Sequence, residues 1–347
     1  MGYEKDFESR FNRDYSALAA KIIRMLSNDS RVSLTEISRR TGVPRSTIAN
    51  KLRSLRSEFD IRTTLELNEN KLGLNSPHLI LVKFKRKPDY HKIAKLLQSS
   101  YIPQVACTVK GLYDMLIYAN ATSSTEYAHW DKSMQILLSD YGALWQPSEV
   151  VHRQLGFFPL RNEILDRIEM DSRYRAMLKL LNENADMSFQ ELSRKLGIHF
   201  NSIAYMFKQL PKLGYVKRPT ITMGLKRGLS FMTIFSKYIP REGYEESSAT
   251  TRKAIMTDQE NTVISRYIIS APLIGSYDFF LFGVYDDSRT AHEFIKFHRE
   301  LFRKHGIKLL YGEVNEVVLG RLPIRSIDTK KEFDRIVWTP HVEQLPQ

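Results

Sequence analysis

Two stretches of the chain decide its fold, because one repeats the other. Residues 33–55 read SLTEISRRTGVPRSTIANKLRSL, and residues 188–210 read SFQELSRKLGIHFNSIAYMFKQL. The stretches align without a gap at an offset of 155 residues, and 8 of the 23 aligned positions are identical. A repeat of this kind predicts a chain built from two similar units.

The first stretch predicts two short helices joined by a sharp turn. Ser33 followed by Glu36 has the capping-box pattern of a helix start, and Gly42 permits the left-handed turn between the helices. An amphipathic helix from about residue 14 precedes them, and a further helix over about residues 44–57 follows the turn. This order is typical of a helix-turn-helix, whose last helix reads DNA.

The helix after the turn combines an apolar face with a polar, basic one. Ile48, Leu52 and Leu55 face the core, and residues 31–57 hold seven basic residues against one acid. Most charged helix faces only contact solvent. Here the predominance of positive charge and the duplication of the helical unit favour DNA binding. Arg reads guanine or phosphate, Asn reads adenine, and Ser or Thr read either. The predicted DNA contacts are Arg45, Ser46, Thr47, Asn50, Lys51 and Arg53.

The second copy of this helix has a more apolar outer face. With Ile203, Phe207 and Leu210 toward the core, the exposed face is predicted to carry Phe200, Asn201, Ser202, Tyr205, Met206 and Gln209. Two interpretations stay open: this face reads thymine methyls, or it contacts protein. Residues 217–227 hold four basic residues and no acid, which predicts a wing that grips phosphates. The predicted DNA contacts are Asn201, Ser202, Tyr205, Lys208, Lys217 and Arg218.

A strand-rich module follows each helical unit. Gly111-Leu-Tyr113-Asp114 recurs as Gly275-Ser-Tyr277-Asp278, and the pattern around each predicts the ferredoxin-like order β-α-β-β-α-β. Strands are predicted at 78–85, 105–109, 113–119, 148–157, 231–237, 263–269, 277–284 and 307–318. Helices are predicted at 88–97, 125–141, 247–257 and 290–304. The predicted fold class is α+β, with each helix-turn-helix followed by a ferredoxin-like domain.

A helix-turn-helix followed by such a module with a Gly-x-Tyr-Asp hairpin resembles the Lrp/AsnC (feast/famine) family of transcription regulators. Residues 71–75, KLGLN, resemble the inter-domain region of that family. The resemblance covers about 14–158 and again 171–320, and therefore implies a tandem duplication. It implies winged helix-turn-helix units tethered to RAM domains, which bind small effectors such as an amino acid. The positions that carry over as effector contacts are Gly111, Tyr113, Asp114, Gly275, Tyr277 and Asp278.

The two glycines of these hairpins also have a simpler explanation, since a turn needs a residue free to adopt positive φ. The implied division of the chain is an N-terminal tail (1–13), a winged helix-turn-helix (14–70), a RAM-like domain (71–158), a linker (159–170), a second winged helix-turn-helix (171–227), a second RAM-like domain (228–320) and a C-terminal tail (321–347). We favour an internal pseudo-dimer with further self-association. The alternative is a homodimer whose RAM-like domains pair only between chains.

Composition narrows the function. The net charge of +13 favours an anionic partner, and with the helix-turn-helix pattern this partner is double-stranded DNA. No apolar run reaches the length of a membrane span, the first residues do not form a secretory signal, and the single cysteine, Cys107, excludes an internal disulfide. The sequence therefore predicts a cytoplasmic DNA-binding transcription regulator.

Catalytic motifs are absent from the sequence. It contains no HExxH, GxSxG or phosphate-binding loop, so we predict no enzyme activity, catalytic residue, metal or cofactor. Two alternatives stay open. One is an enzyme like siroheme decarboxylase on the same fold, although the second strand, QVACTVKG, lacks the histidine that such enzymes place there. The other is a protein-interaction module that does not bind DNA.

Overall fold

The structure is a computed structural model, and it describes residues 17–151, 156–225, 230–238, 267–285, 288–304 and 307–323. The first half contains α1 (Ala17–Asn28), α2 (Leu34–Thr41), α3 (Arg45–Phe59), β1 (Arg62–Leu67), β2 (Ser76–Lys83), α4 (Tyr90–Gln98), β3 (Pro103–Gly111), β4 (Met115–Ala121), α5 (Ser124–Leu137) and β5 (Leu144–Val150).

The second half repeats much of this order. It contains α6 (Asn162–Leu165), α7 (Ser172–Glu183), α8 (Phe189–Leu196), α9 (Phe200–Lys212), β6 (Val216–Met223), β7 (Ser230–Tyr238), β8 (Tyr267–Gly275), β9 (Phe279–Tyr285), α10 (Ser288–Lys304), β10 (Ile307–Leu319) and β11 (Leu322–Pro323). The helix predicted over 247–257 lies outside the described residues. No helix in the described ranges is long and apolar enough to span a membrane.

Two three-helix units, α1–α3 (HTH1) and α7–α9 (HTH2), have matching local structure. The Ser33 and Ser188 side chains each accept a hydrogen bond from the third backbone amide of the following helix, those of Glu36 and Glu191. Gly42 and Gly197 follow the second helices in the left-handed region, with φ of 71° and 65°. An L side chain is strained there, so glycine makes the corner between the two helices at low cost.

The two helix-turn-helix units exchange strands. β1, which follows HTH1, pairs antiparallel with β6, which follows HTH2, and β11 adds on the other side of β6. Ile221 and Met223 of β6 belong to the core of HTH1, whereas Leu65 and Leu67 of β1 belong to the core of HTH2. Each unit therefore completes its core with the strand that follows the other unit.

The remaining strands form one closed barrel in the order β10-β3-β4-β2-β5-β8-β9-β7. β5-β2-β4-β3 come from the first half and β8-β9-β7-β10 from the second, and both sets have the ferredoxin-like 2-3-1-4 order of strands. The halves meet at two seams, β3 against β10 and β5 against β8. The barrel interior is filled by apolar side chains, among them the buried Leu81, Cys107, Phe235 and Phe280.

Two strands differ in their bounds from the sequence prediction. The strand predicted over 148–157 is described as Leu144–Val150; residues 152–155 lie outside the described residues, and Phe157 and Phe158 are buried without strand structure, with Phe158 stacked on Tyr118 at 3.9 Å. The strand predicted over 263–269 is described as Tyr267–Gly275, and residues 263–266 lie outside the described residues. Gly111 and Gly275 have the positive φ, 154° and 137°, that a turn residue provides, and each also ends a strand at a seam of the barrel.

The segments predicted as a linker and as a C-terminal tail both contain packed residues. Within the predicted linker, Leu160, Ile164 and Ile168 are buried in the HTH2 core. Leu322–Pro323 extends the β1-β6 sheet, and Arg321 donates from Nη1 to the Asp60 carboxylate at 3.0 Å. Arg321 thereby ties the end of β10 to the residue that follows α3.

Candidate nucleic-acid interface

The exposed face of α3 is the first part of the candidate site. α3 begins after Pro44 and buries Ile48 and Leu55 as predicted, while Leu52 is partly buried against the same core. This packing turns the opposite side of the helix to solvent. Arg45, Ser46, Thr47, Asn50 and Arg53 are exposed there, and Lys51 is half-buried. The Arg53 guanidinium donates to the Asn50 side-chain oxygen at 3.2 Å, which brings two of the predicted base-reading residues together.

The seven cations of residues 31–57 divide into two groups. Four of them contact a carboxylate or a backbone carbonyl. Arg39 and Arg40 pair with Glu36, Arg56 pairs with Asp186, and Arg31 donates to the Met187 carbonyl. Hydrogen bonds from Arg39 and Arg40 lower the pKa of Glu36 to about 2. Within the described part of the chain, no carboxylate pairs with the other three cations, which are Arg45, Lys51 and Arg53 of α3.

The corresponding helix of the second unit, α9, presents a different surface. Tyr205 is 62% exposed and Phe200 is 43% exposed, and Asn201, Ser202 and Lys208 are exposed beside them. Met206, predicted on this outer face, is instead buried. It lies three residues after Ile203 and four before Leu210, on the apolar stripe of the helix, and Phe207 lies at the edge of that stripe. Gln209 is half-buried.

The prediction of a phosphate-gripping wing at 217–227 is wrong for the described residues 217–225. Lys217 and Arg218 lie on β6, the central strand of the β1-β6-β11 sheet, rather than on a free hairpin. Arg218 pairs with the buried Glu66 at 2.7 Å and also contacts the Asn28 side chain, while Lys217 is 3.7 Å from Glu66. Arg218 is thus engaged by the exchanged strands, whereas the Lys217 side chain is 53% exposed. Residues 226–227 lie outside the described residues.

The predicted effector residues divide between the two seams of the barrel. Gly111 lies opposite Gly312 at the β3–β10 seam, where Tyr113 is buried and its hydroxyl bonds the Thr233 hydroxyl. Asp114 accepts hydrogen bonds from Lys83 and the Phe84 amide, each at 2.7 Å.

Gly275 lies opposite Ser148 at the β5–β8 seam. There Tyr277 is half-buried, with its hydroxyl 3.5 Å from the Gln146 side-chain oxygen, and Asp278 is 3.4 Å from the Lys237 amine. The two glycines therefore lie at different seams, whereas Tyr113 and Tyr277 both pack against Phe235, with ring centres 5.9 and 5.3 Å from its ring centre. No group of three His, Cys, Asp or Glu side chains placed to hold a metal occurs among the described residues.

Sequence reasoning missed the residues that join the two helix-turn-helix units. Arg31 and Arg56 of HTH1 contact Asp186, Phe189 and Phe207 of HTH2. A signal was present in the repeat, because Arg31 and Asp186 occupy equivalent positions at the offset of 155 and carry opposite charges. Glu66 gave no comparable signal, since its partner Arg218 is 152 residues away and outside any local pattern.

Helices α1–α3 and the exposed face of α3 define this molecule as a helix-turn-helix protein, and comparison with known proteins agrees. Residues 19–58 match the model of the IclR helix-turn-helix domain, which confirms the predicted first unit. Over 107 residues, 30% of this chain and 70% of the relative, the chain is 36% identical to the HTH-type transcriptional regulator FL11 of Pyrococcus furiosus. The same protein of Pyrococcus horikoshii is 35% identical over the same share. The chain belongs to the family of Lrp-like HTH-type transcriptional regulators that includes FL11.

The whole-chain fold is also similar to a solved structure. The crystal structure of the siroheme decarboxylase NirDL superposes with a TM-score of 0.53, covering 91% of this chain and 96% of that chain. Sequence identity over this match is 11%, so the likeness concerns the fold alone.

Proposed function

We propose that this protein regulates transcription by reading duplex DNA with α3. The observation that carries the proposal is the grouping of Arg45, Lys51 and Arg53 on α3, without carboxylate partners in the described ranges, beside exposed Ser46, Thr47 and Asn50. Unpaired cations attract phosphates, and short polar side chains next to them reach base edges. Membership of a family of transcriptional regulators supports the same function. The proposed location of the protein is the cytoplasm.

HTH2 contributes to the same interface in a different manner. Asn201, Ser202 and Lys208 offer α9 polar and cationic contacts, whereas the exposed Tyr205 suits an apolar contact with a thymine methyl or a sugar. Arg218 has a smaller part, because it pairs with the buried Glu66 at 2.7 Å. Lys217 is 3.7 Å from the same carboxylate and half exposed, so it is the more available of the two cations. HTH1 is therefore the main sequence reader and HTH2 an unequal partner.

We further propose that the chain is a tandem duplication that forms its own pseudo-dimer, divided at the domain boundaries inferred from the sequence. The strand exchange between β1 and β6 and the two seams of the barrel support internal pairing, since each half closes the other within one chain. Further self-association of these internal pairs remains part of the proposal.

In this proposal, the two RAM-like domains sense a small molecule. The β5–β8 seam is the favoured entry, because it carries the half-buried Tyr277 beside Gln146. Tyr113 at the other seam is sealed in the core and serves packing. We propose no enzyme activity, since the likeness to siroheme decarboxylase extends to the fold alone.

Two substitutions on α3 test the proposed reading. We expect Arg45→Ala or Asn50→Ala to weaken discrimination between the preferred and a mismatched site by ~1–3 kcal/mol, because a bidentate base contact contributes about that much. Tyr205→Ala on α9 is the matched comparison and is expected to change discrimination less. The measurement is competitive binding of full-length protein to duplexes enriched from a random pool. Equal losses at both helices would make α9 an equivalent reader.

A further inference from the structure

Arg31, in the turn between α1 and α2 of HTH1, is held by groups of HTH2. Its Nη2 donates to the Met187 carbonyl oxygen at 2.5 Å. The guanidinium carbon lies 4.4 Å from the ring centre of Phe207 and 5.3 Å from that of Phe189. A guanidinium over a ring face within about 6 Å is attracted by the ring's electrons. One side chain of HTH1 thus contacts a backbone carbonyl and two rings of HTH2.

A second cation of HTH1 reinforces this contact. Arg56 of α3 donates from Nη2 to the Asp186 carboxylate at 2.9 Å. Burial raises the pKa of Asp186, and the positive charges of Arg56 and Arg31 oppose that rise. Both cations that act on this carboxylate come from HTH1.

The contact that Arg31 and Arg56 make is complementary only when HTH1 faces HTH2. At the repeat offset of 155, Asp186 occupies the position of Arg31, while Phe189 and Phe207 replace Leu34 and Leu52. HTH1 supplies two cations, and HTH2 supplies a carboxylate, a carbonyl and two ring faces. Two HTH1 surfaces would bring Arg31 against Arg31, and two HTH2 surfaces would bring Asp186 against Asp186. Like charges so placed repel, so this surface selects the internal pair.

The contact also involves a residue from each of the helices α3 and α9. Arg56 lies in the last turns of α3, and Phe207 lies in the middle of α9. Phe189 continues the array to Phe200 at the start of α9, with ring centres 6.1 Å apart. The first residues of both helices, including Arg45 and Asn201, stay exposed. Each helix is therefore held by a turn of the other unit, α3 through Arg56 on Asp186 and α9 through Phe207 on Arg31.

We propose that Arg31, Arg56, Asp186, Phe189 and Phe207 form a lock that fixes the separation and angle of α3 and α9, so that the protein accepts DNA sites of one half-site spacing. The inference rests on the proposed DNA binding and goes beyond it, because it assigns the spacing to five side chains that act in addition to the shared β1–β6 sheet. Rigid pairing makes half-site spacing a geometric property of the protein.

The test measures the affinity of the full chain for its enriched duplex and for the same duplex with about five base pairs, half a helical turn, inserted at the centre of the footprint. Wild-type protein is expected to lose at least about tenfold in affinity on insertion. Arg31→Ala is expected to lose less than about threefold. Lys21→Ala, which removes an exposed cation of α1, is the control and should keep the wild-type penalty.

A second variant keeps the test valid if Arg31→Ala unfolds. Phe189→Leu combined with Phe207→Leu installs the residue type found at the equivalent HTH1 positions and removes the ring faces, and it should relax the spacing requirement in the same way. Circular dichroism melting verifies that each variant folds. An insertion penalty in either folded variant equal to that of wild type, or a wild-type protein indifferent to the insertion, would overturn the lock. Absence of any DNA binding by wild type would instead overturn the proposed function together with it.

Discussion

We expect Gly111→Ala to lower the free energy of unfolding by about 3–5 kcal/mol, since it combines backbone strain with a clash. Gly111 has a φ of 154°, which side-chain-bearing residues rarely adopt. A Cβ at this position would lie 2.7 Å from the carbonyl oxygen of Tyr311, across the β3–β10 seam. Backbone on both sides leaves no flexible side chain to move away, so the seam itself must open.

Gly42→Ala is the matched control. Gly42 also has a positive φ, 71°, but a Cβ there meets nothing within 4 Å. Gly42→Ala should therefore lower the free energy of unfolding by about 1–2 kcal/mol, which is the cost of the left-handed backbone conformation alone. Denaturant unfolding followed by circular dichroism measures both variants. Similar losses of unfolding free energy in the two variants would show that the carbonyl of Tyr311 adds no clash to the cost of a side chain at position 111.

The second large effect concerns the exchanged strands. Arg218→Ala should cost about 3 kcal/mol of unfolding free energy, because it leaves the Glu66 carboxylate buried without its main cation. The Glu66 side chain is 5% exposed, and its other cation, Lys217, is 3.7 Å away and half exposed. That more distant amine cannot replace the 2.7 Å contact.

Two variants check the cause of this loss. Arg62→Ala removes an exposed pair with Asp60 at 3.2 Å on the neighbouring strand, and it should cost about 0–1 kcal/mol. Glu66→Leu combined with Arg218→Met replaces both charges by apolar groups and should recover most of the stability, as buried pairs commonly do. Denaturant unfolding of all three variants is the measurement. A double variant as unstable as Arg218→Ala would assign the loss to packing rather than to the unpaired charge.

The helix-turn-helix units could be predicted from the sequence because their determinants are local. Ser33 caps α2 by accepting a hydrogen bond from the amide of Glu36, three residues away. Gly42 allows the turn after α2 through its own backbone conformation. Ile48 and Leu55 follow from helical periodicity alone. The prediction of Met206 on the exposed face is wrong because an apolar stripe is wider than one residue per turn. By spacing alone, both Met206 and Phe207 can lie on it.

The strand exchange and the inter-unit contacts could not be predicted in this way. The sequence predicts only a basic wing over 217–227, whereas residues 216–223 form β6, whose partner β1 lies about 150 residues earlier and shares no local pattern with it. The basic segment therefore looked like a free wing. Gly111 and Gly275 likewise looked like turn residues, since only the closed barrel brings Gly312 and Ser148 against them.

The central claim is that this protein binds duplex DNA through the cations of α3 that pair with no carboxylate in the described residues. It is tested most directly by the salt dependence of binding. The measurement is the affinity of the full chain for an enriched duplex over a series of salt concentrations. We predict a steep linear fall of log affinity with log salt, about −0.9 for each phosphate contact, and a slope shallower by about that amount in Lys51→Ala. A slope near zero, or no binding at low salt, would contradict the account.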